Sequence, residues 1–166
     1  LQFFGGTNML KRITILILLS SAFITTNLCV AQTMQVPEVG AFLPSIVDVK
    51  PGATLPIDGL WSISSLDKVV RIDRGRIYAI EGWNHLLVFK IKPGMVVIKQ
   101  LKEETPGVYA GQDLPLQGPL KATLTGDRIL DVNVAGAMGE VRYQMIPQQL
   151  DDQSAFNELI KEIRGR

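Results

Sequence analysis

The chain is poor in the side chains that carry covalent and metal chemistry. Its 166 residues include one cysteine and one histidine. Cys29 falls in an apolar N-terminal stretch, so a chain processed after Ala31 has no thiol. Such a chain forms no disulfide and must stand on its hydrophobic core. His85, in "EGWNHLL", has no second His or Cys with which to complete a zinc site. No metal and no cofactor are therefore expected. His85 could act as the base for a serine nucleophile, but no serine sits in a nucleophile elbow. A carboxylate pair for glycoside chemistry could be drawn from Glu81, Asp113 and Asp127, with nothing to select one. The glycines of "GAMGE" (Gly136 to Glu140) lie between two strand-like segments and open no helix, so they form no phosphate cradle. An enzyme is not expected.

A long apolar run is missing too. Met9 to Ala31, MLKRITILILLSSAFITTNLCVA, has the layout of a secretory signal. Lys11 and Arg12 open it, Ile13 to Leu19 is apolar except for Thr14, and Cys29 and Ala31 take the small-residue places of a cleavage site. The run falls short of the roughly 20 residues of a membrane span. It is read as removed, giving a periplasmic or secreted chain with no membrane span. An uncleaved anchor is one alternative. A lipidated Cys29 is another, with Leu28 standing where a lipobox wants a small residue. Residues 1–8, LQFFGGTN, read as upstream read-through.

There is no excess of charge of one sign. Removing Lys11 and Arg12 leaves 15 of the 17 Lys and Arg against 16 Asp and Glu. Phosphate binding wants a clear basic excess, so nucleic acid is not an expected partner. Lys68, Arg71, Arg74 and Arg76 gather on one hairpin, and Lys90, Lys92, Lys99 and Lys102 on the next. They could read an anionic surface. The simpler reading is a solvated face whose lysines discourage edge pairing.

What is present falls into a signal-bearing segment (1–31), a leader (32–56) and a domain (57–166). The leader carries Pro37, Gly40, Pro44, Pro51, Gly52 and Pro56. Proline cannot donate to a ladder, so the leader is expected as extended surface chain with one apolar piece at Ala41 to Val47. The domain is a series of short alternating segments. Leu120, Ala122 and Leu124 share one face, as do Leu130, Val132 and Val134, and Val141, Tyr143 and Met145. "KVVRIDRGRIYAI" reads as a hairpin turning at Arg74-Gly75, and "LLVFKIKPGMVVIKQL" as another at Pro93-Gly94. Leu86 to Ile91 and Met95 to Ile98 are apolar on both faces, so each is covered twice or faces a cavity. About eight strands at this spacing make a mostly β, antiparallel sandwich or barrel. Phe156, Leu159, Ile160 and Ile163 then mark a C-terminal amphipathic α-helix, capped by Asp151 or Asp152 and expected on the outside of the sheet.

Gly59-Leu60-Trp61 opens the first strand. With some eight strands and a final helix, it resembles the lipocalin or wider calycin architecture, over Asp58 to about Arg166. The chain is also similar to small exported bacterial proteins that bring no activity with them. The resemblance implies an up-and-down barrel in which Trp61 plugs one end and an arginine packs across it. Arg142, in the last strand, is the candidate for that cation–π contact. Trp61, Tyr78, Trp83, Phe89, Tyr109 and Tyr143 are the candidate ligand-binding aromatics.

Two functions follow. One is a binding module taking a small apolar or amphipathic ligand. The other is a non-enzymatic envelope accessory protein with a filled core, touching a partner protein through its leader and the "GQDLPLQGP" loop. A cavity of about 300 Å³ or more favours the first.

Overall fold

The computed structural model describes residues 43–85, 89–113, 118–136 and 139–166. The expected signal segment with Cys29, the leader before Leu43, Leu86 to Val88, and Leu114 and Leu116 of the loop lie outside them.

Ten strands and one helix are formed among the described residues. They are β1 (Gly59–Ile63), β2 (Lys68–Asp73), β3 (Arg76–Ala79), β4 (Trp83–His85), β5 (Phe89–Ile91), β6 (Val96–Thr105), β7 (Val108–Gln112), β8 (Pro119–Leu124), β9 (Leu130–Gly136), β10 (Gly139–Leu150) and α1 (Gln153–Arg164). Eight of them close an antiparallel barrel in the order β1-β2-β3-β6-β7-β8-β9-β10, with β10 returning to β1. The expected eight-stranded barrel with a C-terminal helix is what the chain forms.

Local chemistry explains the regular parts. β8 and β9 alternate buried and outward residues, with Ala122 opposite Val132 and Leu120 opposite Val134. The β2–β3 turn puts Arg74 and Gly75 both at positive φ (46° and 79°). That is a two-residue hairpin of the mirror-image type, whose twist matches that of the strands. At the seam, Gly59 (φ 148°) lies so close to β10 that a Cβ there would run into the Gln149 carbonyl oxygen and stand 2.8 Å from Leu150 Cα. Only glycine lets the barrel close at this point.

The second expected hairpin is not formed. The chain does turn at Pro93-Gly94, but β5 pairs back onto β4 as a separate two-stranded sheet. β6 instead pairs with β3, and the Gly94 N–H donates to the Ala79 carbonyl at 2.8 Å. A turn residue dictates reversal of the chain, not which strand it returns to.

The described part of the leader is only partly surface chain. Val47 is 86% exposed, yet Leu43, Leu55 and Ile57 are buried in the core. Residues 43–58 form a strap held by two buried charges. Arg76 bonds Asp73 and donates Nη1–H groups to the Ile46 and Val49 carbonyls at 3.1 and 2.8 Å. Asp58 accepts the Leu55 and Arg74 backbone N–H groups, each at 3.0 Å. The strap also pairs with the start of β6, where the Val96 N–H donates to the Pro44 carbonyl at 2.9 Å. Leu43, Pro44, Val96 and Val97 share one shallow groove. The strap thus covers part of Met95 to Ile98, which accounts for their being apolar on both faces.

α1 does not lie on the outside of the sheet. It crosses one barrel end, burying Phe156, Leu159 and Ile160. Arg164 Nε donates to the Gly126 carbonyl at 2.9 Å and Arg166 to that of Pro106 at 3.2 Å, which ties the helix to the β8–β9 and β6–β7 turns.

Candidate functional site

The two barrel ends differ. At the helix end, Trp61 is 0% exposed, donates its indole N–H to the Ile57 carbonyl at 2.9 Å, and meets Phe156 edge-on at 6.1 Å. Arg128 lies over the other ring of this pair, 5.1 Å from the Phe156 centroid. Arg142 takes no part in the plug. It sits opposite Asn133 on the outward side of β10, with its side chain 74% exposed and bonded to Glu140 at 2.9 Å. The alternation that turns Tyr143 inward turns Arg142 outward.

The middle of the barrel is filled. Val70, Ile72, Leu130 and Val134 are all fully buried, as is Tyr109. The Tyr109 hydroxyl is buried beside the Glu103 carboxylate. Burial pushes its pKa well up, aided by the nearby Glu103 and Asp58 carboxylates.

At the opposite end lies a cavity of about 140 Å³. Its walls are Ile63, Leu66, Ile77, Val97, Ile98, Val141 and Met145, with Ser65, Trp83, His85, Asp113 and Tyr143 as the polar-tipped members. β1 and β10 supply Ile63, Tyr143 and Met145. The β4–β5 hairpin supplies Trp83 and His85, two residues apart and therefore on one side of β4. Leu66 and Val141 are 42% and 41% exposed and form an apolar rim.

Of the six candidate aromatics, Trp83 and Tyr143 reach this cavity. Trp61 and Tyr109 belong to the filled core. Tyr78 alternates with the buried Ile77 and Ala79 and so faces outward, and Phe89 on β5 is half-buried but outside the lining. Four of the six thus lie elsewhere, and two of these, Trp61 and Tyr109, are barrel filling. Ser65, Leu66 and Val141 were missed as lining. The Ser64 to Asp67 turn offered no periodicity, and Val141 reads as an ordinary inward strand residue.

The site's electrostatics favour neutral forms. Burial lowers the His85 pKa, so its imidazole is uncharged at neutral pH. Burial raises that of Tyr143 far above its ordinary value, and a hydrogen bond to the Asp113 carboxylate adds to the shift. Ser65, His85 and Asp113 share one cavity, the trio a nucleophilic relay would need. What the arrangement offers is a mostly apolar recess with a few polar-tipped side chains in its wall.

No protein-family profile, curated protein or solved structure matches the chain.

Proposed function

We propose that the protein is an exported binding module, calycin-like in architecture, whose open barrel end receives a compact apolar group. The carrying observation is the 140 Å³ cavity with its aliphatic floor and polar-tipped edge. That volume is under half of the roughly 300 Å³ at which drug-sized ligand pockets begin, so the size expected for a ligand held whole is not reached. It is close to the roughly 150 Å³ of an engineered apolar cavity that binds benzene. The ligand therefore enters as a ring or branched chain end rather than being swallowed whole. Export rests on the signal-like Met9 to Ala31.

A second reading, the accessory protein that contacts a partner, draws on the filled middle of the barrel and on the exposed rim of Leu66 and Val141. Benzene titration followed by methyl NMR separates the two. Binding shifts the methyl signals of Ile63, Ile77, Ile98 and Met145 together and saturably. Shifts confined to Leu66 and Val141, or none up to the solubility of benzene, overturn the ligand reading.

A further inference from the structure

Two side-chain polar atoms, Trp83 Nε1 and Asn133 Oδ1, are buried without a hydrogen-bond partner among the described residues. Only the first belongs to a residue that lines the cavity. A buried donor left unsatisfied is costly and rare in native proteins. The protein's other indole is no precedent for it, because the Trp61 N–H is bonded to the Ile57 carbonyl. The remaining polar edge narrows what could meet the donor. The Tyr143 hydroxyl is engaged by the Asp113 carboxylate, so Tyr143 offers the cavity no free donor. His85 sits half-buried beside aliphatic walls, where a charged group is poorly accommodated. Trp83 is carried by a two-stranded sheet that is not part of the barrel ladder, and it packs against the core beside the cavity.

We propose that Trp83 is the polar reader of the cavity, and that its indole N–H bonds a carbonyl or ether oxygen on an uncharged, ring-sized apolar ligand. This rests on the cavity being a binding site, as set out above. It adds the chemical class: small cyclic ketones, lactones or ethers are accepted, hydrocarbons of equal shape gain nothing from Trp83, and carboxylates are refused.

Cyclopentanone and methylenecyclopentane have the same shape and differ in one acceptor, and cyclopentanecarboxylate supplies the anion. Each is titrated into ¹⁵N-labelled protein, with both indole N–H signals followed. Cyclopentanone is expected to move the Trp83 signal downfield and leave that of Trp61 in place, while methylenecyclopentane moves cavity methyls but not the Trp83 N–H. In the Trp83→Phe variant the affinity for the ketone falls about tenfold more than that for the alkene, the worth of one hydrogen bond. The indole signal in the unaltered protein keeps the test valid should that variant fold poorly. If neither neutral probe perturbs the cavity, the binding-site reading itself fails. If both bind and the Trp83 N–H is unmoved by the ketone, or if the carboxylate binds as well as the ketone, the cavity stands and the assignment to Trp83 is overturned.

Discussion

Gly59 and Trp61 do separate jobs two residues apart. Gly59 admits the β10 backbone, and Trp61 fills the barrel end beneath the helix. Gly59→Ala puts a methyl against the Gln149 carbonyl and asks for a left-handed φ, so at least about 2 kcal/mol is expected to be lost. Trp61→Ala removes a fully buried ring and should cost about 3–5 kcal/mol. Arg142→Ala is expected to stay within about 0.5 kcal/mol of the parent, because that side chain is exposed and pairs only at the surface. Urea unfolding of the three variants checks the set, and a large loss from Arg142→Ala would bring it back to the plug. The Gly-x-Trp spacing was legible as a strand start with a plug. The arginine was not, because alternation within β10 does not say which arginine of the chain meets the helix. Arg128 lies in the β8–β9 turn beside Phe156, and nothing in its neighbours along the chain points there.

At the level of elements, the helix and the strap are the two additions that make the barrel a domain. Asp152 caps α1, its carboxylate accepting the Ala155 N–H at 2.9 Å. Asp152→Ala is expected to cost about 1 kcal/mol, seen as a lower thermal midpoint. The strap should respond to pH in two directions. Burial alone would raise the Asp73 pKa, but hydrogen bonds from Arg74 and Arg76 outweigh it and hold the carboxyl below 3.8. Its contribution is therefore full above pH 3.8 and is lost as pH falls through the lowered value. Asp58 behaves oppositely. Burial lifts its pKa above 3.8 despite two backbone N–H donors, so its contribution is full below pH 3.8 and is lost as pH rises through the raised value. Unfolding free energy measured against pH should lose its acid arm in Asp73→Asn and its fall above pH 3.8 in Asp58→Asn. The opposite pairing of variant and arm would show that the roles of Asp58 and Asp73 at the strap are misassigned. The alternation in β8 to β10 and the apolar stripe of α1 were readable because each repeats along a single segment. The strap was not readable, because its anchors Leu43, Leu55 and Ile57 are spaced irregularly and held by carbonyl groups that every residue has. The destination of β5 was hidden for a related reason: pairing partners are a property of two segments, and "KPG" describes one.

For the molecule as a whole, closure matters more than any single contact. Eight strands leave no edge in the barrel, and among the described residues only β4 and β5 have unpaired sides. A chain ended at Gly136, lacking β10 and α1, exposes an edge of β1 and an edge of β9 together with Trp61. It is expected to aggregate and to give no dispersed amide spectrum, whereas a folded monomer would mean that the β1–β10 seam is dispensable. That seam also has a consequence in time. Ser64 and Gln144, bonded across it, are 80 residues apart in the chain. At a synthesis rate of about 5–20 residues per second, β1 leaves the ribosome roughly 4–16 s before its last neighbour exists. During those seconds the molecule has no closed state to reach, and anything that must handle it as an open chain has that interval in which to act.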